Sequence, residues 1–171
     1  MIGKPQFGWS KITIAGKNQT WSDRISYLDD VPFDLLHALI DSCKNHRPVA
    51  VKFDAEGYEY IIVFEWVSVY VIYQGSNIIQ CLSKDKTQQT SLVAIDAKRA
   101  DVATELIADI REATAEWAEF WYDAIPETNE KEELEQRKEE LLKLCDELES
   151  LLPADDYTIV HRADSIEIDY A

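Results

Sequence analysis

Asp101 to Phe120, DVATELIADIREATAEWAEF, is the stretch from which the rest of the chain can be placed. Val102, Leu106, Ile110, Ala113, Trp117 and Phe120 recur at steps of four, four, three, four and three, the spacing of an apolar seam along an amphipathic helix. One residue ahead of each stands an acid: Asp101, Glu105, Asp109, Glu112, Glu116 and Glu119. Neighbouring helix residues are turned by about 100°, so this acidic row flanks the seam rather than opposing it. After Ile125-Pro126 the pattern resumes with Leu134, Leu141, Leu144, Leu148 and Leu151 among glutamates, which predicts a second helix and a helical hairpin with a negative outer surface.

Upstream the pattern changes to strands. Trp9 to Ile14 alternates, Ala15-Gly16-Lys17-Asn18 turns, and Gln19 to Leu28 returns. Asp29-Asp30-Val31-Pro32 then opens a helix, with an aspartate at or near the N-cap and proline in the first turn. Leu35, Leu36, Leu39 and Ile40 give it one apolar side, and it ends near Lys44-Asn45-His46. Val49–Asp54, Tyr58–Phe64, Val67–Tyr73, Ile78–Ser83 and Leu92–Ile95 read as further strands. Ala55-Glu56-Gly57 is one of the turns, with glycine free to take a positive φ. Tyr157–Val160 and Ser165–Tyr170 read as a terminal hairpin. The expectation is a single α+β domain over residues 1–171. An antiparallel meander would be packed by a long C-terminal helical hairpin and one shorter N-terminal helix.

The net charge of −16 is lopsided: residues 1–90 hold 10 acids and 9 bases, residues 91–171 hold 23 acids and 8 bases. A field of that sign repels nucleic acid and draws basic proteins. With 46% hydrophobic residues and five tryptophans the chain reads as folded rather than disordered. No apolar run approaches the roughly 18 residues of a membrane span. Three widely spaced cysteines, Cys43, Cys81 and Cys145, fit a reducing cytoplasm better than a disulfide framework, and no secretory signal is evident.

Candidate chemistry is thin. His37, Cys43 and His46 do not share a helix face or supply zinc's four ligands, so a surface histidine and a buried thiol account for them and no metal is expected. There is no Gly-x-Ser-x-Gly elbow or phosphate-cradling loop, and Asp54, Glu56 and Glu59 read as solvated turn carboxylates rather than an acid/base pair. Neither catalysis nor a cofactor is predicted. Trp117, Phe120, Trp121 and Tyr122 either plug the end of the core or form an interface; acids beside them disfavour base stacking. The leucines of the second helix pack inward or zip to a partner. Its glutamates exceed what pairing with nearby lysines would use, leaving a solvated face and a functional acidic surface both open.

Ser26-Tyr27-Leu28-Asp29-Asp30, Pro32-Phe33-Asp34-Leu35-Leu36 and Phe53-Asp54-Ala55-Glu56-Gly57-Tyr58-Glu59-Tyr60 carry a resemblance. Over roughly residues 20 to 75 the chain resembles small acidic bacterial proteins of uncharacterised families, some of them similar to immunity proteins of polymorphic toxin systems, including contact-dependent growth inhibition. The resemblance implies a cytoplasmic protein that binds and blocks a usually basic toxin domain; it fixes no binding residue. Charge and resemblance together predict an acidic protein-binding inhibitor. Its partner-binding residues would be Glu105, Asp109, Glu112, Glu116, Glu119, Trp121 and Asp123, with no nucleic acid or membrane as partner. The rival readings are a nucleic-acid mimic, an enzyme with a carboxylate site, and a structural subunit assembling through its terminal hairpin.

Overall fold

The computed structural model describes residues 1–56, 58–74, 90–120, 130–152, 157–162 and 165–170. Strands β1 (Trp9–Ala15) and β2 (Thr20–Ser26) form an antiparallel hairpin. Helix α1 (Val31–Asn45) follows, then a four-stranded antiparallel sheet of β3 (Val49–Asp54), β4 (Glu59–Phe64), β5 (Val69–Gln74) and β6 (Thr90–Ile95), in that spatial order. Helices α2 (Arg99–Glu112), α3 (Thr114–Ala118) and α4 (Glu130–Leu151) come next, and β7 (Tyr157–Arg162) pairs with β8 (Ser165–Tyr170). The α+β class is as the sequence predicts. The expected strand Ile78–Ser83 lies outside the described residues, as does most of the polar run after it.

The sheet has two unlike faces because side chains alternate along each strand. Its inner face carries Val51, Phe53, Tyr60, Ile62, Phe64, Val69 and Val71, all buried. The β1–β2 hairpin is laid across that face. Its turn is tied to the end of β6, where Lys17 N–H donates to the Asp96 carbonyl at 2.8 Å and the Asn18 amide to the Ala94 carbonyl at 3.1 Å. Its far end is tied to β3, where the Ser26 hydroxyl donates to the Asp54 carbonyl at 2.9 Å. Trp21 meets Tyr60 edge-on at 5.4 Å between centroids, filling the space between hairpin and sheet.

Helices complete the layer: α1 lies against β3, and α4 lies against α1, α2 and α3. Pro32 sits in the first turn of α1, where its missing N–H costs nothing, and His46 closes the helix in a left-handed conformation at φ 48°. Every seam residue from Val102 to Phe120 is buried, as the spacing requires. That stretch is nevertheless two helices. The backbone breaks at Ala113 (φ −128°), and the Thr114 hydroxyl turns back to the Ile110 carbonyl at 2.9 Å, competing with the helical ladder. On α4, Leu141, Leu144, Cys145 and Leu148 are buried, so its leucines build the core. In the β3–β4 turn Glu56 takes a positive φ (52°) and its N–H is accepted by the Asp54 carboxylate at 2.7 Å, while the expectation for Gly57 lies outside the described residues.

Candidate partner-binding face

The acidic row flanks the seam as expected. Asp101, Glu105, Glu112 and Glu119 are exposed, and Asp109 and Glu116 are half-buried. What sequence reading missed is what lies beside them. Residues 1–6 run antiparallel to β1, through an Ile2–Ile12 bridge and a Gly3 N–H bond to the Lys11 carbonyl at 2.7 Å. This carries the amino end onto α2. The Met1 amine donates to Asp109 Oδ2 at 2.5 Å and lies 3.5 Å from Glu105, and Ile2 N–H donates to the same Asp109 oxygen at 2.8 Å. Further along, Lys4 pairs with Glu116 at 2.6 Å, which holds the Glu116 carboxyl below its usual range.

Asp109 and Glu116 are therefore engaged inside the chain. Glu112 and Glu119 form no ion pair among the described residues and remain open to a partner. Trp121 and Asp123 lie outside the described residues. Trp117 and Phe120 are core, meeting edge-to-face at 5.1 Å.

The strand leaving α2 reverses at Phe7–Gly8. Gln6 and Trp9 exchange backbone hydrogen bonds of 2.8 and 3.0 Å around it, and both central residues have positive φ, 52° and 78°. Two-residue hairpins favour that geometry, but with asparagine or aspartate ahead of the glycine. Gly8 is required: a Cβ there would lie 2.6 Å from the Tyr27 ring. Phe7 is 100% exposed. Between this turn and α3 lies a hollow of about 470 Å³, lined by Phe7, Gly8, Tyr27, Glu116, Glu119 and Phe120. The opposite flank of the turn carries Lys11, Asp23 and Arg24, while Lys4 is paired with Glu116 on the hollow side.

Other clusters serve the fold. Tyr58 and Tyr73 both donate their hydroxyls to the Asp23 carboxylate, joining β2 to the sheet. Burial first, then bonding to that carboxylate, pushes the Tyr73 hydroxyl up to about 12. At the start of α1, partial burial and then the like charges of Asp30 and Asp29 push Asp34 up to about 6. Asp30 itself pairs with Arg137 of α4 at 3.0 Å. Burial raises the Cys145 thiol to about 11, which leaves it unreactive. Among the described residues no group of three or more metal-ligating side chains comes together, and no helix is long and apolar enough to cross a membrane.

The sheet offers a second surface. Register aligns Lys52, Ile61, Ile72 and Leu92 in one outer row and Ala50, Val63, Tyr70 and Ala94 in the next. Leu92 is 63% exposed. One-sided antiparallel sheets usually turn polar residues outward, and these rows do not. Compared with protein-family models, with curated proteins and with solved structures, the chain finds no match in any of the three.

Proposed function

We propose that the protein is a cytoplasmic, non-catalytic inhibitor of the bacterial immunity type, which binds a basic, nuclease-like toxin domain and occludes its active site. One observation supports this above the rest: Glu112 at the end of α2 and Glu119 just after α3 are exposed acids with no ion pair among the described residues, while the amino-terminal strand occupies Asp109 and Glu116 and brings the Met1 amine within 3.5 Å of exposed Glu105. The acids beside the seam thus exceed what the chain neutralises for itself, and they are presented along α2 and at the end of α3. Rigid, one-signed charge of this kind steers a basic protein into contact and fixes its orientation. Trp121 and Asp123 extend the set in this proposal. Inhibition follows from occupancy alone, with no chemistry on the inhibitor.

The test is co-expression with the toxin domain encoded by the neighbouring gene. Protection of growth, with a one-to-one complex recovered by size-exclusion chromatography, is the expected result. Absence of protection would overturn the reading. Equal binding of several unrelated DNA-binding proteins would favour a nucleic-acid mimic instead.

A further inference from the structure

We propose that the hollow between the Phe7–Gly8 turn and α3 receives an arginine side chain of the basic partner, with Phe7 as the ring it stacks on and Glu119 as the carboxylate it pairs with. This rests on the reading above that the partner is a basic protein. Phe7 contributes no burial to the fold, being 100% exposed, and its φ of 52° disfavours a bulky side chain. For folding alone asparagine would serve better at this position. What the ring does have is a place beside a negative hollow. Glu119 lines that hollow and forms no ion pair among the described residues, whereas Glu116 is held by Lys4 at 2.6 Å.

The chemistry of the site favours guanidinium over ammonium. Arginine presents a planar, weakly hydrated fork that stacks on an aromatic face while its edge bonds a carboxylate. Lysine offers a compact, strongly hydrated charge that does the second and not the first. The turn is also rigid: Gly8 lies against the Tyr27 ring, and Phe120, 4% exposed, forms part of the wall. A ring presented on a fixed turn loses little freedom on binding.

The test is an NMR titration of the full ¹⁵N-labelled chain with N-acetyl-arginine amide and, separately, N-acetyl-lysine amide, which carry the same charge. The arginine compound should shift the Phe7, Gly8 and Glu119 amides saturably, about twofold to fivefold more tightly than the lysine compound. Phe7→Asn should erase that preference while raising the melting temperature, and Glu119→Gln should weaken both compounds. Equal response to the two compounds, absence of shifts at Phe7 and Gly8, or a preference that survives Phe7→Asn would each overturn the inference. A lowered melting temperature in Phe7→Asn would overturn it too, by showing the ring to be structural. Toxin neutralisation that proceeds unchanged in Phe7→Asn would overturn this inference and leave the inhibitor reading standing.

Discussion

Arg99 in the first turn of α2 donates through its guanidinium to the hydroxyl of Ser42 near the end of α1. The same nitrogen lies 3.3 Å from the Arg47 carbonyl, and the guanidinium sits 5.5 Å over the Trp66 ring. A cation at the start of its own helix opposes the helix dipole, but this one is delivered to the carbonyl end of another, where it is favourable. Both Arg99 and Ser42 are 0% exposed. Arg99→Ala should therefore cost about 2–4 kcal/mol by denaturant unfolding, since it removes a buried charged donor and leaves a void, although the Ser42 hydroxyl still donates to the Arg47 carbonyl at 2.5 Å. Arg99→Lys should recover only part, having no plane to lay on Trp66. A loss under about 1 kcal/mol for the alanine variant would show the link to be idle.

Gly16 is pinned by the β6 end of the sheet. A Cβ there would lie 2.5 Å from Ile95 Cγ2 and 2.7 Å from the Asp96 carbonyl oxygen, whereas at Gly3 the nearest atom would be 3.6 Å away. Gly16→Ala should lower stability by about 1–3 kcal/mol, and Gly3→Ala should change it little. Equal melting temperatures for the two variants would remove the β1–β2 turn from its place against β6.

The helix phase has its own test. Leu106 is 0% exposed and Glu105, its neighbour, has a side chain 55% exposed. Leu106→Ala should cost about 2–5 kcal/mol, while Glu105→Gln should fall within roughly ±0.5 kcal/mol or stabilise slightly by easing self-repulsion. Comparable losses in both would put the seam on the wrong side of α2.

Asp34 links stability to pH. Its carboxyl is raised from 3.8 to about 6 in the folded protein, so the folded state holds that proton more tightly than the unfolded chain does. The stability this confers is complete below the unfolded value and is lost as pH rises through about 6. Asp34→Asn should accordingly stabilise at pH 7.5 and lose its advantage toward pH 4. Part of the side chain remains open to solvent, which screens the effect to something on the order of 0.5 kcal/mol. Unfolding midpoints of the two proteins at both pH values check the sign.

The seam from Val102 to Phe120 was legible because burial on a helix leaves a three-to-four residue rhythm whatever lies opposite. The start of α1 at Asp30–Pro32 is legible for a local reason too, its signals being a few residues apart, although the Asp30 carboxylate makes no capping hydrogen bond and pairs with Arg137 instead. Arg99 was not, because a charged residue at a helix start reads as surface until another helix end is known to lie beside it. The outer sheet rows were hidden by β4 itself, where Ile61 and Val63 on one face alternate with Tyr60, Ile62 and Phe64 on the other, so both faces read as apolar. The Phe7–Gly8 turn is not legible in the sequence because phenylalanine is not the residue a two-residue hairpin asks for. The acidic row was readable as a row; that the amino-terminal strand occupies Asp109 and Glu116 depends on a pairing across about a hundred residues of chain.

The central question is whether exposed Glu105, Glu112 and Glu119 meet a basic partner. Surface-plasmon kinetics of the toxin domain on the wild type and on the triple variant Glu105→Gln, Glu112→Gln, Glu119→Gln, at about 0.1 M and 1 M salt, measure this directly. Steering charges act on encounter, so the variant should associate markedly more slowly at low salt with a smaller change in dissociation, and the difference should collapse at high salt. Association at the wild-type rate in low salt would contradict the account and move the interface to the outer sheet face of Ile61, Ile72 and Leu92.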